Sequence, residues 1–324
     1  MTVNDERPIL RLRSVDDGLG LIPHLLGFHP EESLVVLVLD GGQVALTARL
    51  DLAEAAGPDQ VEGVLTRIWC RFPAADAWFV AYTAHRAYAW AVLRRCDRFL
   101  PASAARRTIA VDGRTWQADG PRGLRGVYDP GSSRTAAEAA VRGLVARRSR
   151  AELAALVDGP PAADTDRLVS VAERVGAELA AEPRWPELMG RALGGFAGTL
   201  DDAAAARLAM LASHPVARDV ALLSMSRARA EQQVELWRQV VNRTLAVHQG
   251  HPLALLGMAA WIAGEGALVS VCLERAGRLL PPAGLLRILR GLVDQVTPPD
   301  SWDELQPQLL AAASGEVRQA LAVS

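Results

Sequence analysis

The sequence predicts an α/β domain with a mixed sheet followed by an all-α domain, and three observations predict it. Strand-length apolar runs alternate with helix-period patterns over the N-terminal half. Two turn signals, Asp40-Gly41-Gly42 and Asp112-Gly113, each join adjacent strand patterns into a hairpin, which forces antiparallel pairs into the sheet. Beyond the Gly/Pro-rich stretch from Asp158 to Asp166, only alanine- and leucine-rich helical patterns remain. The chain has 324 residues. Domains run at ~150 residues each, so the expected division is an α/β domain over 1–157 and a helical domain over 158–324.

Taken in order, Ser14-Val15-Asp16-Asp17 is a capping pattern with acids in the first turn, so a helix is expected from near Val15 to Gly27, kinked at Pro23. Leu34 to Leu39 reads LVVLVL, as a strand covered on both faces does. In the next strand Val44, Leu46, Ala48 and Leu50 share one face and Thr47, Arg49 and Asp51 the other, which aims a polar face at water or at a site. Gly57-Pro58 opens a helix whose Val61, Val64, Leu65, Ile68 and Phe72 follow the helical period. A buried strand over Ala77 to Tyr82, a helix over Arg86 to Leu100 and a second hairpin over Arg107 to Ala118 follow. Ala118 to Ser133 reads as a long loop, and Arg134 to Val157 as helices.

In the C-terminal half, punctuation at Pro183 to Pro186, Gly194-Gly195, His214-Pro215, Gly250 to Pro252, Pro281-Pro282 and Pro298-Pro299 divides short helices that stack as antiparallel pairs. Leu256-Gly257, Leu273, Ala276 and Pro281 resemble the spacing of a tetratricopeptide helix pair, although Leu253 and Ala260 stand where that motif carries aromatic residues. Leu253 to Cys272 holds one charge, Glu265, but Gly264 and Gly266 flank it. Two short helices meeting at a turn are therefore expected there, and no membrane association.

Every one of the 35 basic residues is arginine. Without lysine there is no P-loop, no kinase strand lysine and no Schiff-base chemistry. Cys70, Cys96 and Cys272 are too widely spaced for a disulfide framework or a cysteine zinc site. Together with a charged N-terminus lacking an apolar stretch, this makes a cytoplasmic protein the expectation. No cofactor motif and no resident metal motif is present, so none is expected.

Charge is uneven along the chain. Six arginines face twelve carboxylates from Met1 to His85, net −6; fourteen face five from Arg86 to Arg150, net +9; fifteen face twenty thereafter, net −5. A basic block of this kind suits nucleic acid or phosphate, or internal pairing against the acidic third.

The string Ile22-Pro23-His24-Leu25-Leu26-Gly27-Phe28-His29-Pro30-Glu31-Glu32-Ser33-Leu34-Val35, with Thr47 to Asp51 after it, resembles the actinobacterial family filed as domain of unknown function 4192. The Asp112-Gly113 hairpin, the Pro130 to Arg150 region and the helices from Trp261 to Leu280 fit that family more loosely. The resemblance implies a cytoplasmic protein with no assigned activity. Relatives are expected to carry a cysteine-containing loop after the second hairpin, whereas Gln117 to Pro130 contains no cysteine.

Around this string lie the densest acid, base and ligand types of the chain: Asp16, Asp17, His24, His29, Glu31, Glu32, Arg49 and Asp51. Asp16, Asp17, His29 and Asp51 are the candidate catalytic set, because carboxylates and a histidine converging on one cation with an open water position would give metal-assisted hydrolysis. Helix capping by the two aspartates and pairing of Arg49 with a carboxylate explain the same residues structurally. Arg49, Glu31, Glu32 and Ser33 are the candidate binding residues, joined by Thr83 and His85, which follow a buried strand where α/β sheets bind ligands. His248 and His251 have no accompanying carboxylate and are not assigned to a metal.

The function expected is binding or regulation without catalysis, through a protein partner engaged by the helical domain. The alternatives are a metal-assisted phosphoester hydrolase or nuclease, and nucleic-acid binding by the arginine-rich segment 86–150.

Overall fold

The computed structural model describes residues 14–41, 43–57, 60–99, 104–129, 136–138, 146–281 and 284–322. The charged N-terminus, Gly42 of the first hairpin, Pro58 and, within the helices expected over Arg134 to Val157, residues 134–135 and 139–145 lie outside them. The chain forms two compact units, Met1–Arg150 and Ala151–Ser324. The stretch from Asp158 to Asp166, where the sequence places the boundary, lies inside the second. Asn242 holds Leu156 O (2.6 Å) and Gly159 N (3.1 Å), and Arg275 holds Asp158, so this stretch is tied to helices of its own unit.

The first unit begins with α1 (Val15–Leu26), whose N-terminus is capped by Ser14 Oγ accepting from Asp17 N at 3.1 Å. Its C-cap Gly27 has φ 75°, which a side chain would resist, and Pro23 is accommodated inside the helix. The strands are β1 (Ser33–Asp40), β2 (Gln43–Asp51), β3 (Asp76–Tyr82), β4 (Arg106–Asp112), β5 (Thr115–Ala118) and β6 (Arg125–Val127). They form one sheet in the order β2-β1-β3-β4-β5-β6. The pair β3/β4 is parallel and the other neighbouring pairs are antiparallel, the mixed sheet expected. Between the strands stand α2 (Leu52–Ala55), α3 (Gln60–Arg71) and α4 (Arg86–Cys96). The crossover α4 packs on β3 and β4 and is tied back by Tyr88 OH to Leu52 O (3.2 Å) and Arg95 Nη1 to Ala56 O (3.0 Å). β1 is buried from Ser33 to Leu39, as its continuous apolar run requires.

Pairing register fixes which side chains share a face. Asp51, Ser33, Tyr82, Val111 and Trp116 form one row across the sheet, and Arg49, Val35, Val80 and Ile109 the next on the same side. α1 lies on this side, with Asp16 Oδ1 accepting from Trp116 Nε1 at 2.7 Å and Gly18 against the Trp78 ring.

Three features of the first unit depart from the sequence reading. The short α2 was not expected, being a single turn of LAEA after β2. The presumed loop after Ala118 contains β6, held by pairing Thr115↔Val127 and Gln117↔Arg125. Residues 146–149 are not helical; Arg147 forms a bridge with Phe28, giving its N–H to Gly27 O (2.8 Å) and taking His29 N–H (2.9 Å).

The second unit is helical: α5 (Arg150–Ala155), α6 (Thr165–Ala180), α7 (Trp185–Gly194), α8 (Asp202–Ser213), α9 (Pro215–Leu223), α10 (Ala230–Asn242), α11 (Gly250–Ala263), α12 (Gly266–Leu279), α13 (Gly284–Asp294), α14 (Trp302–Ala312) and α15 (Gly315–Leu321). Pro186, Pro215 and Pro252 sit in first turns, where the missing N–H costs nothing. α11 is buried from Pro252 to Ile262, which accounts for its apolar character on every side. It turns into α12 through Gly264 (φ 82°), so Leu253 to Cys272 is a helical hairpin. Among the described residues, no helix is long and apolar enough to cross a membrane.

Candidate functional site

The end of the sheet where β1 begins and β2, β3 and β4 finish collects most of the residues singled out from the sequence. Chain enters it through the Gly27–Glu32 turn, whose start is clamped by the Arg147 bridge. Ser33 is fully buried; its hydroxyl donates to Glu31 O at 2.6 Å and accepts from Arg49 Nε at 2.9 Å. Arg49 Nη2 in turn reaches Asp51 Oδ1 at 2.6 Å. Alternation along β2 brings Arg49 and Asp51 to the same side, and the β1 register sets Ser33 beside them.

Glu32 has φ 40°, a left-handed conformation that a side chain disfavours. It is held there by its carbonyl, which accepts from Leu52 N at 2.9 Å, and by the Ser33 bond on its other side. The side chains of Glu31, Glu32 and Asp51 remain exposed. His29 is half-buried; burial and neighbouring His24 depress its basicity, against the opposing pull of Glu31.

Thr83 and His85 follow β3 at the carboxyl end of the parallel pair. Thr83 N donates to Val111 O at 3.0 Å, and Thr83 Oγ1 accepts from His85 N at 3.2 Å, leaving the His85 side chain exposed at the start of α4. Next to Ser33 in the register, Tyr82 is buried and its hydroxyl has no hydrogen-bond partner among the described residues.

The proposed catalytic set is not gathered in one place. Asp16 is engaged by Trp116, and Asp17 belongs to the capped first turn of α1. Asp51 pairs with Arg49 on β2. Among the described residues, no group of three or more His, Cys, Asp or Glu side chains could hold a metal ion. The arginine-rich segment is partly neutralised within its own unit, Arg86 by Asp112 (3.6 Å), Arg106 by Asp97 (2.7 Å) and Arg107 by Asp119 (3.9 Å). Arg94, Arg98, Arg114 and Arg122 are exposed and form no ion pair among the described residues.

One polar cluster went unnoticed in the sequence. α10 places Glu235, Arg238, Gln239 and Asn242 on one face, and they line a cleft of about 320 Å³ with Arg167, Asp202 and Arg243. The spacing was legible as a polar stripe, but a polar stripe on a helix ordinarily faces solvent.

The model of the family described as domain of unknown function, DUF4192, matches residues 17–300. The chain belongs to the DUF4192 family. The residues of the sheet end from Gly27 onward and those of the helical cleft lie within the matched span. No curated protein and no solved structure matches the chain.

Proposed function

We propose that this chain is a cytoplasmic binding or regulatory protein, without catalysis, whose α/β unit contacts its partner through the sheet end and whose helical unit also engages a protein. The observation that carries the reading is the strained Glu32. Strained non-glycine residues cluster at active sites, ligand clamps and switch regions, and this one sits between exposed Glu31 and the chain that runs from buried Ser33 through Arg49 to exposed Asp51. The polar atoms of Asp16, Ser33, Arg49 and Thr83 bond to neighbouring groups and shape the surface. Glu31, Glu32, Asp51 and His85 are the groups presented by it. Three exposed carboxylates suit a basic face on the partner.

The test is purification from the native cytoplasm near physiological salt, with and without nuclease, followed by mass spectrometry of what is retained. A protein held in stoichiometric amount after nuclease supports the reading. Turnover of a phosphoester or ester that Asp51→Ala abolishes without lowering Tm overturns it.

A second reading has an observation of its own: Arg94, Arg98, Arg114 and Arg122 are exposed and form no ion pair among the described residues. Nucleic-acid binding through them predicts recovery of nucleic acid, loss of other partners after nuclease, and affinity that falls steeply with salt.

A further inference from the structure

The cleft of the helical unit is independent of the sheet end, and its walls are built. Gln239 is buried, and its amide accepts from Leu200 N (2.8 Å) and donates to Gly198 O (2.8 Å), fixing the loop before α8. Asn242 fixes the loop before α6 in the same manner, through Gly159 N and Leu156 O. Two amides on one face of α10 thus hold both rims of a space of about 320 Å³, a size at the lower end of small-molecule sites, which begin at roughly 300 Å³.

Inside, charge is shared unevenly. Arg238 is matched by Glu235 through two hydrogen bonds, 2.8 and 2.7 Å, and needs nothing more. Asp202, by contrast, serves two guanidiniums at once. It contacts Arg167, which also pairs with Asp164 at 3.1 Å, and it receives Arg243 only at 3.4 Å, the limit of a hydrogen bond. Arg243 is therefore the least satisfied cation of the cleft. Asp202 is the carboxylate on which both planar donors converge, while Asp164 serves Arg167 alone. Only an anion with more charge or more acceptor oxygens can compete with it, and a phosphate group carries about two negative charges and three acceptor oxygens.

We infer that this cleft binds the phosphate group of a small molecule between Arg167 and Arg243, in competition with Asp202. Calorimetric titration and thermal melting of the full chain test it, using inorganic phosphate, a hexose phosphate, and chloride at matched ionic strength. Saturable binding of either phosphate is expected, weakened at least about tenfold by Arg243→Gln. Asp202→Asn removes the competing charge and is expected to tighten binding, an effect that a purely structural ion pair does not produce. Preference for the hexose phosphate identifies an ester as the ligand; equal affinity identifies free phosphate. The inference is overturned if chloride reproduces the melting shift, if no saturable binding is found, or if Arg243→Gln binds as the unmodified chain does.

Discussion

Arg49 Nε donates to the Ser33 hydroxyl at 2.9 Å across the β1–β2 pairing, and this bond joins the inner and outer strands at the corner where the chain enters the sheet. Ser33 is fully buried, while Asp51, the other partner of Arg49, is half exposed. The two contacts therefore differ in value. A hydrogen bond involving a charged group contributes about 1.5–3 kcal/mol, whereas an exposed ion pair contributes ~0.2–1 kcal/mol. Arg49→Met is expected to lower stability in urea unfolding more than Asp51→Asn does. Equal losses would show that the ion pair holds the corner.

Gly18 is required by Trp78. A Cβ at position 18 would lie 2.3 Å from Trp78 Cζ3, so α1 can sit on the sheet at this depth only with glycine there. Alanine gains up to ~1 kcal/mol of helix propensity, but the clash with a packed indole costs about 1–3 kcal/mol. Gly18→Ala is expected to be net destabilising, with a lower urea midpoint and an unchanged slope. An unchanged or higher midpoint would mean that α1 packs less closely than this.

The cysteines divide by burial. Cys70 is exposed, whereas burial pushes the Cys96 thiol up to about 12 and raises Cys272 as well. The thiolate is the reactive form. A disulfide reagent at neutral pH is expected to label Cys70 rapidly, and Cys70→Ser is expected to abolish the fast phase. Cys96 lies in the α/β unit and Cys272 in the helical unit, so the labelling of each along a urea series reports the opening of its own unit.

Acid is expected to weaken the fold beginning at mildly acidic pH. His29, His248 and His251 all have depressed basicity, chiefly from burial, with Arg218 at 3.3 Å adding to the effect on His251. A histidine whose folded pKa lies below its unfolded value takes up its proton first in the unfolded chain. Stability is therefore full above about pH 6.5, the unfolded value, and is lost as pH falls from there toward the folded values. Melting at pH 7.5 and 5.5 measures the loss, and His251→Gln is expected to reduce it. A Tm that does not fall between these values contradicts the assignment.

Particular residues show what was legible beforehand. β1 and β3 could be read because LVVLVL and AWFVAY are uninterrupted apolar runs, and β2 because Thr47, Arg49 and Asp51 alternate with apolar neighbours. β6 could not: Arg125-Gly126-Val127 carries no apolar pattern, and its place is set by Gly126 fitting against the Trp116 ring, a contact invisible in sequence. Asp16 was read as a catalytic candidate or a helix-capping acid, and its bond to Trp116 could not be read because that partner is distant in the chain. Arg49 and Asp51 could be assigned to one face, but only the register sets Ser33 and Tyr82 beside them. The helical cleft stayed hidden because nothing local distinguishes a polar face turned toward a cleft from one turned toward water.

The most direct test of the contact surface is Glu32→Gly, read against partner retention. Glycine adopts a positive φ freely, and the left-handed conformation costs other residues about 1–2 kcal/mol, so the variant is expected to be as stable as the unmodified chain or more so. If the strain serves recognition, the protein that co-purifies in stoichiometric amount with the unmodified chain is lost or reduced with Glu32→Gly, and lost again with the charge reversal Glu31→Arg. Full retention by both variants would contradict the assignment of this sheet end as the contact surface.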